Sequence, residues 1–120
     1  MESFDGKMLY YMKPGRRDFR NGPIWKVPRE GGEETLVLDR EVWFLNWALR
    51  PEGIYFSTYS GKKYTIEFLG FRSGKVTLIY REETPNSRDG LTISPDGQWF
   101  LYNVSEPSYE SDLMLVENFR

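Results

Sequence analysis

The sequence predicts an all-β fold assembled from repeated, four-stranded antiparallel units, and three observations carry that prediction. A turn signal followed by an aromatic-rich alternating strand occurs three times, short apolar runs bounded by Gly, Pro and Asp recur along the whole chain, and no segment has helical periodicity. Aromatic residues make up 17% of the 120 positions, which suits pleated, half-buried strands better than disorder or a helical bundle.

The first turn signal is Ser3, Phe4, Asp5 and Gly6, and it leads into a strand that reaches Tyr11. Its second copy is Arg50, Pro51, Glu52 and Gly53, followed by a strand over 54–57. The third is Ser94, Pro95, Asp96 and Gly97, followed by 98–102. Gly6, Gly53 and Gly97 are spaced by 47 and 44 residues. In the third copy Pro95 pre-sets φ for the first turn position, Asp96 bonds back to the backbone, and Gly97 supplies the positive φ needed before the next strand. Gly6 and Gly53 hold the equivalent place.

Each copy continues to another strand, at 23–28, 64–71 and 111–117. In the first two copies a glycine-containing turn, through Gly31 and Gly32 or through Gly74, leads on to 35–38 or 76–80. A further strand precedes the turn signal in the later copies, over 42–49 and 91–94. The expected inventory is three, four and three strands. Runs such as 66–71, apolar at nearly every position, indicate strands buried on both faces between neighbouring sheets. Four short strands per unit at a period of ~40 to 50 residues is the pattern of a β-propeller blade. The chain therefore reads as one partial β-propeller of about three blades, at roughly 1–39, 40–83 and 84–120, with the first and last blades incomplete. Closed propellers use ~4 to 8 blades, so this arc is expected to expose blade faces and strand edges.

The Ser94 to Gly97 turn and the apolar strand after it resemble the WD40-like, or PD40, repeat of TolB-type bacterial β-propellers, and the likeness spans all three units. Residues 24–34, the pair Asn46 and Trp47 with 53–56, and 89–102 through 112–120 are similar to the last blades of one bacterial group. In that group the propeller forms the C-terminal part of larger proteins, often behind a winged-helix DNA-binding domain and a membrane span. The departures are Phe4 where Pro is usual, and Arg50 and Glu52 in place of Ser and Asp. The resemblance implies a non-catalytic scaffold or docking module in a bacterial protein, periplasmic or cytoplasmic. The alternative it implies is the gating propeller of a prolyl-oligopeptidase-like hydrolase.

Composition narrows function mainly by exclusion. With no Cys and no His the chain supplies no thiolate or imidazole metal ligand, no disulfide, and no Ser-His or Cys-His pair. A net charge of -2 argues against bulk nucleic-acid binding by this segment. The polar start at Met1 to Lys7 is unlike a secretory signal, and no run approaches the roughly 18 apolar residues of a membrane span. No catalytic residue, metal ligand or cofactor motif is assigned, and the expected partners are further blades, from a parent chain or a second copy, and other protein.

The pairs Glu33 with Glu34 and Glu82 with Glu83 suggest glycosidase carboxylates, but neighbours on a strand point to opposite faces and cannot flank one bond. Both pairs are expected as solvated charges flanking outer strands. Lys13, Arg16, Arg17 and Arg20 concentrate positive charge in a loop between strands and are the leading polar binding candidates, for phosphate or an acidic partner. Trp25, Trp47 and Trp99 are expected as core between blades. Trp43 with Phe44 is expected to begin an innermost strand and to line a channel mouth. Asp5, Glu52 and Asp96 are expected to stabilise turns rather than bind a cation.

Overall fold

A computed structural model describes residues 1–15, 20–86, 88–105 and 111–117. Ten strands run in order: β1 (Met8–Met12), β2 (Asn21–Pro28), β3 (Thr35–Trp43), β4 (Trp47–Arg50), β5 (Gly53–Ser60), β6 (Lys63–Gly70), β7 (Val76–Glu83), β8 (Arg88–Ile93), β9 (Trp99–Ser105) and β10 (Ser111–Glu117). They form three antiparallel sheets, ordered β1-β2-β3, β4-β5-β6-β7 and β10-β9-β8. This is the three, four and three of the sequence reading, and the fold is a partial β-propeller. The sheets stack face to face with the four-stranded one in the middle, in a flattened body of 47 × 35 × 23 Å.

Strand β5 shows why the middle sheet holds the others. Every residue from Gly53 to Ser57 is buried. Because successive side chains leave a strand on opposite faces, Ile54 and Phe56 enter one core and Tyr55 the other. The first core joins Ile54 and Phe56 to Tyr10, Ile24, Leu38, Val42, Trp47 and Leu69, between the first and middle sheets. The second joins Tyr55, Tyr64 and Ile66 to Leu91, Phe100, Tyr102 and Val104, between the middle and last sheets. Tyr55 meets Phe100 edge-on at 5.4 Å between ring centroids, and Tyr64 meets Tyr102 at 5.0 Å. Full burial of such side chains contributes about 1.5–3 kcal/mol each, so the blade interfaces carry most of the fold's apolar stabilisation.

The first and third repeated turns are superimposable in their bonding. The Ser3 hydroxyl donates to Asp5 Oδ1 at 2.6 Å and Ser94 to Asp96 Oδ1 at 2.5 Å, while the amides of Lys7 and Gln98 donate to those same carboxylates at 3.0 Å. The Gly6 and Gly97 amides close the turns on the Ser3 and Ser94 carbonyls, each glycine at a φ of 72°. Phe4 in place of Pro leaves all of these bonds intact. The second turn differs. Gly53 is not at positive φ; a Cβ there would lie 2.0 Å from the Leu69 carbonyl oxygen, so this glycine is required by the close approach of β6.

Two other expectations are corrected. The run 42–49 is not one strand: Val42 and Trp43 end β3 opposite Gly22 and Asn21, residues 44–46 turn, and β4 begins at Trp47. Trp43 thus closes the outermost strand of the first sheet instead of opening an innermost one. The reason is local, since Asn46 is the one strongly turn-forming residue in an otherwise apolar run. Glu82 and Glu83 lie within β7 rather than flanking it. Glu82 is half-buried against Arg88, so only Glu83 is a solvated charge as expected.

The Asp5 and Asp96 carboxyls are held below the usual carboxylate range, first by the Ser3 and Ser94 hydroxyls and next by the following backbone amides. A folded-state value below the unfolded one means that the stabilisation is complete above about pH 4 and is lost as pH falls through the folded value. Denaturant midpoints measured between about pH 5 and pH 2 are expected to fall less steeply in Asp96→Asn than in the parent chain. Gly53→Ala, forced against the Leu69 carbonyl, is expected to cost about 1–3 kcal/mol in the same titrations at neutral pH.

Candidate functional site

The short turn between β3 and β4 is bonded to all three sheets. The Asn46 amide donates to the Trp43 carbonyl at 2.8 Å and closes the turn. The Phe44 amide donates to the Arg20 carbonyl (3.0 Å) on the first sheet's side, the Ser57 amide to the Asn46 carbonyl (2.8 Å) from the middle sheet, and the Leu91 amide to the Leu45 carbonyl (2.9 Å) from the last sheet. The buried Asn46 side chain adds a fourth link, its Oδ1 accepting from the Gly90 amide at 2.7 Å. One turn thereby ties all three sheets together along one rim.

Beside this turn lies a cleft of about 340 Å³ lined by Glu41 and Trp43 from β3, Asn46 from the turn, Ser57 from β5, and Arg88 and Asp89 from β8, with Asn21 and Tyr59 completing its wall. A bulge shapes its far side. The β8 to β9 register shifts between Asp89 and Leu91, where Gly90 takes a φ of 71°, and this offset turns Asp89 toward the cleft.

Arg88 is the cationic wall and is already engaged. Its Nε and Nη2 donate to Glu82 Oε1 at 3.0 and 2.6 Å, its Nη1 to the Asn86 carbonyl and its Nη2 also to Thr84 Oγ1. The Tyr59 hydroxyl holds the same segment by donating to the Thr84 carbonyl at 3.0 Å. Behind Arg88, burial is the largest cause pushing the phenols of Tyr64, Tyr80 and Tyr102 upward. These hydroxyls therefore stay neutral around pH 7, with Tyr80 donating to Glu82. The two remaining charges facing the cleft are the carboxylates of Glu41 and Asp89, and among the described residues neither forms an ion pair. Asp89 Oδ1 is buried without a hydrogen-bond partner, while the buried Ser57 hydroxyl meets that of Tyr64. The site offers an aromatic face and two carboxylates, which together suit a cationic, hydrogen-bonding group.

The residues singled out in the sequence fall in different places. Arg16 and Arg17 lie outside the described residues. Lys13 pairs with Glu34, to which Tyr11 also donates, and lies over the Trp25 ring at 4.3 Å, so it is spent within the first sheet. Arg20 is exposed at the rim that carries the cleft. Of the four basic residues, Lys13 and Arg20 are the two that the structure describes. Trp43 does line a site, though as part of this interblade cleft. Of the other tryptophans, Trp47 is core, whereas Trp25 and Trp99 are half-buried; Trp25 stands on the outer face of the first sheet, which has no blade against it. Asp5, Glu52 and Asp96 sit at the opposite rim in separate turns, and among the described residues no group of three acidic side chains converges to hold a metal ion. Asn46, Ser57, Arg88 and Asp89 went unnoticed as a group because they come from two strands and a turn far apart in sequence.

No family model matches the chain, and no curated protein is significantly similar to it.

Replacing Asn46 by Ala leaves the half-buried Gly90 amide without its acceptor, and the expected loss is about 1–3 kcal/mol in chemical denaturation. Leu45→Ala in the same turn, at an exposed side chain, is expected to stay within about 0.5 kcal/mol of the parent.

Proposed function

We propose that this chain is a non-catalytic β-propeller module that works by docking against protein, and that further blades of the same architecture are its first partners. The observation that carries the reading is the outer face of the first sheet. Leu9 pairs with Val27, Tyr11 with Trp25, and Trp25 with Leu36, so these five side chains share one face. The face opposite packs to full burial in the first core, yet Leu36 is 42% exposed and Leu9 37%. An apolar sheet face of this kind is what a neighbouring blade covers in a propeller. Support also comes from the resemblance of the Ser94 to Gly97 turn and its strand to PD40 repeats of TolB-type propellers. With that resemblance the chain is the C-terminal docking part of a larger bacterial protein, one with a winged-helix regulator among its possible architectures.

Light scattering across a dilution series, with circular dichroism on the same samples, tests the reading. The expected result is a discrete oligomer with β-sheet signal, in which copies cover one another's outer faces, or aggregation relieved by supplying the missing blades. Leu36→Lys is expected to weaken self-association at least about tenfold, by placing a charge in the desolvated face, without altering the β signal. A cooperatively folded monomer at all concentrations would remove the need for a covering blade and with it this proposal.

A further inference from the structure

The cleft beside Asn46 has a charge pattern that selects its occupant, and we infer that it receives the guanidinium of an arginine side chain from a protein partner. This rests on the docking function proposed above and names the chemistry of one contact. The volume, about 340 Å³, lies at the small end of ligand sites and suits one long side chain rather than an extended chain segment. Its own cation, Arg88, is fully committed to Glu82, Thr84 and the Asn86 carbonyl, so Glu41 and Asp89 leave the cleft with a net negative charge.

An independent observation points the same way. On the cleft wall, Asp89 Oδ1 is buried without a hydrogen-bond partner. An unpaired buried carboxylate oxygen is costly, and an incoming donor that engages this carboxylate removes the cost. A guanidinium does this with a planar fork that matches a carboxylate, and its flat face stacks on an indole such as that of Trp43. Ammonium lacks the fork and the flat face, and is more strongly hydrated, so arginine is favoured over lysine. The bulge at Gly90 and its bond to Asn46 fix the Asp89 backbone before any ligand arrives, which lowers the ordering cost of capture.

The test uses the full chain labelled with ¹⁵N and titrated with N-acetyl-arginine methylamide, its uncharged citrulline counterpart and its lysine counterpart. The expected result is saturable shifts of the Trp43 indole and the Gly90 amide by the arginine probe, with Kd on the order of 1 mM for this single side chain. The lysine probe is expected to bind at least about threefold more weakly, and the citrulline probe at least about tenfold more weakly. Asp89→Asn is expected to weaken arginine binding about tenfold. Should that variant fail to fold, Glu41→Gln, at an exposed side chain, is expected to weaken it at least about twofold. Equal binding of the citrulline or lysine probe, shifts confined to other residues, or no saturable shift up to about 10 mM overturns the assignment. The outcomes separate from those of the docking test. A chain that oligomerises yet ignores the arginine probe loses this site and keeps the module, and a folded monomer that binds the probe loses the module and keeps the site.

Discussion

The hydrogen bonds made by the turn around Asn46 are the constraint on which the three sheets depend for their relative placement. Apolar burial drives sheets together but has no direction, and two flat faces can slide while still covering one another. Four hydrogen bonds from one turn to three sheets remove that freedom, because displacing any sheet breaks at least one of them. The Asn46 carboxamide adds a second bond to the last sheet, its oxygen accepting from the Gly90 amide beside the Leu91 amide that the Leu45 carbonyl already holds. Stacking of the blades and the shape of the cleft beside them are therefore set by the same few atoms.

The two cores on either side of β5 differ in character. Between the first and middle sheets the packing is largely aliphatic with Tyr10, Trp47 and Phe56, whereas between the middle and last sheets four aromatic rings meet and bring phenolic hydroxyls with them. The second core thus requires polar neighbours that the first does not, and Arg88 and Glu82 stand at its edge to provide them. The alternation along β5 makes the assignment strict. A slip of one residue would exchange Tyr55 with Ile54 and Phe56 and put each side chain into the wrong core.

Local chemistry was the legible part of this molecule. Ser94, Pro95, Asp96 and Gly97 specify their turn within a few residues, and Ser3 to Gly6 repeat its bonding even with Phe4 in the proline position. Strand order and number followed from the spacing of those turns. The turn at 44–46 was hidden because Val42, Trp43, Phe44, Leu45 and Trp47 read as one apolar strand, with only Asn46 marking the break. Gly53 looked like its counterparts in sequence, but its role is set by the approach of Leu69, a tertiary fact. Trp25 followed the core pattern of its strand correctly, yet burial needs an opposing sheet that the sequence cannot place. The cleft was illegible for the same reason: Glu41, Ser57 and Asp89 come to line one cleft only when β3, β5 and β8 meet.

All the backbone bonds that cross between sheets at the β3 to β4 turn lie along one rim. The opposite rim carries the repeated turns, and there the sheets meet through side chains, with Tyr10 stacked on Phe71 and Arg50 over the ring of Phe4. The blades are bound like pages along a single spine. Thermal opening is expected to begin where Phe4 and Arg50 touch, at the rim held by side chains, and to reach the hydrogen-bonded edge last. A blade inserting beside them would find its purchase at the loose margin, while the cleft at the spine keeps its form throughout.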